Sequence, residues 1–89
     1  MTNKRTLKKC INLICEELFA ECLAASLHVD KQNFSNVEAL FFSIIKLQRN
    51  AISRISHPEP GMSAKQYYHD LKEKFSSEAS DIVDQINNL

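Results

Sequence analysis

Ser56-His57-Pro58-Glu59-Pro60-Gly61-Met62-Ser63 holds both prolines and the only glycine of the 89-residue chain. Neither proline can donate a backbone hydrogen bond, and each biases the residue before it away from helical backbone. The stretch is therefore a break, and almost all remaining residues lie in long segments without one. A β-rich fold of this length needs several tight turns with their own Gly, Asn-Gly or Pro chemistry. Long helices joined by few loops need almost none, so the punctuation reads as all-α.

Working outward from the break, Ser63 with Gln66 three residues later forms a capping-box pattern that opens a helix over about 64–87. Tyr68, Leu71, Phe75, Ala79, Ile82 and Ile86 make its apolar stripe, at spacings of three and four. Upstream, Val37, Leu40, Ile44, Leu47, Ala51 and Ile55 make the stripe of a helix over about 36–56. Ser35 and Glu38 are placed to cap its start, and Arg49, Arg54 and His57 suit its negative end. A first helix is expected over about 5–27 through Leu7, Ile11, Ile14, Leu18, Cys22 and Ala25, with Cys15 beside the stripe. His28 to Asn33 reads as a polar connection. Short connections between long helices favour antiparallel neighbours. The expected fold is one domain, an up-down-up antiparallel three-helix bundle, with dimerisation into a larger bundle as its natural extension.

Eleven acids balance eleven Lys and Arg, giving a formal net charge of zero. That balance disfavours a dedicated nucleic-acid binder, whose affinity comes largely from phosphate neutralisation. It also removes one barrier to self-association. Lys4, Arg5, Lys8 and Lys9 before an apolar stretch imitate a signal peptide, but Glu16, Glu17 and Glu21 interrupt that stretch. No apolar run approaches a membrane span. Three Cys at positions 10, 15 and 22 are odd in number and lack Cys-x-x-Cys spacing, which fits unpaired structural thiols in a cytoplasmic setting.

The first two helices carry more apolar surface than a lone bundle can cover. Leu13, Phe19, Leu23 and Leu27 fall away from the stripe of the first; Phe41, Ile45 and Ile52 widen that of the second, and Phe42 lies on what should be its wet side. A helix apolar around most of its circumference expects burial on more than one side. Phe19, Leu23, Leu27, Phe42 and Ile45 are therefore the candidate interface, for a homodimer or for another protein.

Catalytic chemistry is not evident. His28, His57 and His69 form no ligand pair, and Glu16, Glu17 and Glu21 lack the Glu-x-x-His element of helical carboxylate metal sites. A single glycine makes no phosphate loop. Asn33-Phe34-Ser35 matches a glycosylation sequon, without meaning in a cytoplasmic chain. No catalytic residue, metal or cofactor is expected. His57 and Glu59, on the rigid proline turn, are a candidate recognition loop. The alternative role is an accessory protein that binds nucleic acid or an acidic ligand through Lys4, Arg5, Lys8 and Lys9.

The run Ser56-His57-Pro58-Glu59-Pro60-Gly61-Met62, with Leu18-Phe19-Ala20-Glu21-Cys22, resembles a group of small, uncharacterised, all-helical bacterial proteins over most of the chain. The resemblance implies a bacterial cytoplasmic setting and carries over no activity and no site residue.

Overall fold

The computed structural model describes residues 3–89. Three helices make up the fold: α1 (Lys4–Ser26), α2 (Phe34–Ser56) and α3 (Ala64–Asn87), with a single 3₁₀ turn at Lys31–Asn33 before α2. No strand occurs among the described residues. The radius of gyration is 14.8 Å and the extents are 47 × 20 × 17 Å. A compact domain of this length would have a radius near ~12 Å. Helices of 23 and 24 residues are each about 35 Å long, so the molecule is a rod.

The core is wholly apolar. α2 buries Val37, Leu40, Ile44, Leu47, Ala51 and Ile55, the full stripe read from its spacing. α1 contributes Leu7, Ile11, Cys15, Leu18 and Cys22, and α3 contributes Tyr67, Leu71, Phe75, Ile82 and Ile86. No polar or charged residue is buried among the described residues. Ile44 and Ile55 are fully enclosed. Truncating either to Ala would cost about 2–5 kcal/mol.

α2 is the hub. It shares the most extensive contact with α1, a smaller one with α3, and α1 meets α3 least. This explains two departures from the expected stripes. Ile14 is 40 % exposed, and Cys15, one residue further round α1, takes its place in the core. Tyr67 is buried in place of Tyr68, which is half-buried. In both cases the buried side shifts by one residue, as a helix turned towards its closer neighbour requires. Ala25 and Ala79 are likewise only half-buried.

The helix starts differ in chemistry. Asn3 caps α1, its side-chain oxygen accepting from the Thr6 amide at 2.7 Å, one residue earlier than the spacing indicated. Ser63 caps α3 as expected, accepting from the Gln66 amide at 3.2 Å. Ser35 does not cap α2; it lies inside the helix, which begins at Phe34. The 3₁₀ turn replaces it, because the Lys31 carbonyl already accepts from the Phe34 amide. The connection over 28–33 is thus partly helical, and it delivers the chain to α2 with a donor satisfied that a cap would otherwise serve.

The α2–α3 turn is fixed by its aromatics. The last carbonyls of a helix have no partner within it. The Tyr67 hydroxyl donates to the Arg54 carbonyl at 2.8 Å and stands 3.2 Å from that of His57. The Tyr68 hydroxyl donates to the Ile55 carbonyl at 3.3 Å. Two side chains from the first turn of α3 therefore complete the last turn of α2. The rings meet edge to face at 5.5 Å, and the Arg54 guanidinium lies 5.9 Å from the Tyr67 ring centre. Tyr67→Phe keeps the ring and leaves a part-buried carbonyl without its donor. It should lower stability by about 1–2 kcal/mol and the melting midpoint by roughly 4–8 °C per kcal/mol. Urea and thermal unfolding followed by circular dichroism measure this; an unchanged midpoint would show that the clamp does not hold the turn.

Candidate functional site

Among the described residues, six large apolar side chains are exposed: Leu13, Ile14, Leu23, Leu27, Phe34 and Phe42. All belong to α1, α2 or the chain just beyond α1. α3 leaves none exposed, because its non-core positions are filled by residues such as Lys72, Glu73, Lys74, Glu78, Asp81 and Asp84.

The five residues expected at an interface divide into two sets. Leu23, Leu27 and Phe42 are open to solvent at 57 %, 77 % and 66 %. Phe19 and Ile45 are half-buried. Phe19 stacks on Phe41 with ring centres 6.1 Å apart and planes inclined by 19°, so these rings line the α1–α2 groove and part of each still faces water. The Gln48 amide donates to the Asn12 side-chain oxygen at 2.9 Å across the same groove. Phe34, 48 % exposed, is an addition. Its position in the sequence reading, ahead of a cap at Ser35, removed it from the helical pattern; starting the helix two residues earlier puts it on the same flank as Phe41 and Ile45.

Why the surface is apolar there follows from geometry. Phe42 lies about 180° from the centre of the α2 core stripe at 100° per residue. No arrangement that buries the stripe can also bury Phe42 within one chain. Leu23 on α1 and Leu27 just past its end lie four residues apart, likewise outside its stripe.

The recognition loop has a different character. His57 follows the last residue of α2 with non-helical backbone, its amide donating to the Ser53 carbonyl at 3.1 Å. The Glu59 carbonyl accepts from the Met62 amide at 3.3 Å. Both residues are exposed. These two hydrogen bonds organise the backbone of the loop. One surface hollow, of about 920 Å³, lies at the start of α3 among Ser63, Lys65, Tyr68, His69 and Lys72. Its lining comes from the first turns of α3 and its cap Ser63. His69 pairs with Glu73 at 3.2 Å on the open surface, an i,i+4 contact of small energy. No three His, Cys, Asp or Glu are placed to share a metal among the described residues.

The basic residues Lys4, Arg5, Lys8 and Lys9 stand on the first turns of α1, helical rather than frayed. Lys4, Arg5 and Lys9 are exposed and Lys8 is half-buried. At 100° per residue they fan over about 140° of the helix, which spreads their charge instead of focusing it. No helix is long and apolar enough to cross a membrane among the described residues.

All three cysteines are free. Cys15 and Cys22 sit in the core, where burial pushes both thiols above the ordinary value of 9.0. A thiol whose folded pKa is raised favours folding below the unfolded value and loses that contribution as pH climbs through the folded one. Stability should therefore begin to fall above pH 9. Cys10 is exposed, and the thiolate is the reactive form. With iodoacetamide at pH 8, native protein should gain one carbamidomethyl group, at Cys10, and denatured protein three. Mass spectrometry reads the count; rapid labelling of Cys15 or Cys22 in native protein would contradict their burial.

No family model, curated protein or solved structure matches this chain, so the apolar α1–α2 surface and the His57 loop stand on their own chemistry.

Proposed function

We propose that the protein is a non-enzymatic interaction module that works as a homodimer, joining two up-down-up bundles through their α1–α2 faces. One observation carries the reading. Every exposed large apolar side chain among the described residues lies on α1, on α2 or at their termini, and the strongest, Leu27 and Phe42, are 77 % and 66 % exposed.

Several contacts support the helix directions. Phe19 meets Phe41, and Asn12 meets Gln48 seven residues back on α1 and seven forward on α2, as antiparallel neighbours require. One α1–α3 hollow gathers Cys10, Ile14, Lys72 and Phe75, and another gathers Ala25, His28, Val83 and Ile86, as parallel neighbours require. In this arrangement Leu23 and Leu27 stand level with the first turns of α2, beside Phe34 and Glu38.

Leu23, Leu27, Phe34 and Phe42 on the outer sides of α1 and α2, away from the charged α3, are the pattern of an association surface, whereas Ile14 faces the α1–α3 hollow. A second copy is the occupant that the zero net charge favours, since like molecules then approach without overall repulsion. The three free thiols support a cytoplasmic setting. The alternative, a ligand site at Lys4, Arg5, Lys8 and Lys9, has less support because those cations fan around the helix and the chain carries no net positive charge.

Light scattering coupled to size exclusion over a concentration series tests the reading. Wild-type protein should approach twice the 10.2 kDa chain mass. Phe42→Glu and Leu23→Glu should keep the helical spectrum and weaken dimerisation by about thirtyfold or more, as losing a central contact does. A monomer at every concentration, or dimers that ignore both substitutions, would reject the homodimer.

A further inference from the structure

α2 carries two stripes. The buried one runs from Val37 to Ile55. A second, Glu38-x-x-x-Phe42-x-x-Ile45-x-x-x-Arg49, repeats at four, three and four residues, the spacing of a coiled-coil seam. At 100° per residue its members fall within about 60° of one another and about 140° from the buried stripe. Glu38, Phe42 and Arg49 are exposed and Ile45 is half-buried. Neither Glu38 nor Arg49 has an ion-pair partner within the described chain.

The order of these residues is self-complementary. The point midway between Phe42 and Ile45 is also midway between Glu38 and Arg49. A two-fold axis crossing α2 at that point lays a second α2 antiparallel on the first. Phe42 of each copy then meets Ile45 of the other, and Glu38 of each meets Arg49 of the other. A parallel arrangement would instead set Glu38 against Glu38 and Arg49 against Arg49, which like charges oppose. We infer that the homodimer forms by antiparallel pairing of α2 with the α2 of a second copy, its centre being Phe42 with Ile45 and its register set by two Glu38–Arg49 pairs.

This rests on the homodimer reading above and adds the orientation and register of the contact. The apolar pair at the centre supplies affinity, and the charges at either end, about 16 Å apart along the helix, select direction. Opposite charges at the ends of a seam are the usual means of choosing an orientation. Leu23, level with the Glu38 turn on α1, extends the apolar floor beneath the Arg49 stem of the second copy, whose methylenes can cover it.

Charge reversal distinguishes this geometry from every other use of the same face. Full-length wild type, Glu38→Arg, Arg49→Glu, the double variant, and an equimolar mixture of the two single variants would be compared by sedimentation equilibrium. Circular dichroism checks that each stays folded, which exposed positions favour. Each single reversal creates two like-charge contacts and should weaken dimerisation by about tenfold. The double variant should regain wild-type affinity, and the mixture should form heterodimers as tight as the wild-type dimer. If both single variants dimerise like wild type while Phe42→Glu dissociates, the antiparallel seam is wrong and the homodimer reading survives. If wild type is itself monomeric, or Phe42→Glu leaves it dimeric, the reading fails and the seam with it.

Discussion

A helix packed against two neighbours keeps a substantial arc of its circumference in water, and every other feature of this protein follows from how its helices fill that arc. α3 fills it with charge, as a surface helix should. α2 cannot be reconciled with water so simply. Its core stripe from Val37 to Ile55 is complete, yet Phe42 stands on the opposite side at 66 % exposure. Rotating the helix to hide Phe42 would lift Ile44 and Ile55, both fully enclosed, out of the core. The burial of six side chains outweighs one, so the exposed ring is forced by the stripe. The apolar outer face is then a property of the sequence and not an accident of packing.

The same hub explains how the other helices sit. α1 and α3 both turn towards α2 and touch one another least. Cys15 rather than Ile14 and Tyr67 rather than Tyr68 enter the core as a result. Burying Tyr67 also brings its hydroxyl to the Arg54 carbonyl, so the rotation that packs α3 is coupled to the bond that closes the end of α2. The proline turn alone would only stop the helix. The tyrosines that follow it set where α3 goes.

Much of this is legible in the sequence, because it depends on periodicity and on unmistakable breaks. Both prolines and the only glycine fall in one stretch, which places the α2–α3 turn. All six α2 core residues follow from spacing, since that helix packs against both neighbours. Spacing fails by one residue on α1 and α3, where the stripe edge depends on which neighbour is closer, a tertiary fact. The start of α2 is also missed. Ser35 and Glu38 offer a sound capping box, but the 3₁₀ turn at Lys31–Asn33 satisfies the chain first, and local propensity cannot weigh one against the other. Of the candidate surface, Leu23, Leu27 and Phe42 are exposed as their angles imply. Phe19 is half-buried because it stacks on Phe41 in the α1–α2 groove, and Ile45 is half-buried too.

Symmetry decides what such a surface can build. A patch that matched a different site on another copy would propagate, because nothing would close the chain of contacts. A face complementary to itself closes at two. The Glu38–Phe42–Ile45–Arg49 order has that self-complementarity, and the charged outer side of α3 offers no second apolar site for a third copy to use. Net neutrality would leave a small protein prone to indiscriminate association, and in the proposed dimer the opposed charges at the ends of the seam would turn that tendency into one orientation. On the proposed reading, the outer face of α2 would carry two kinds of information on one stripe: apolar side chains that make association favourable, and charges that say which way round.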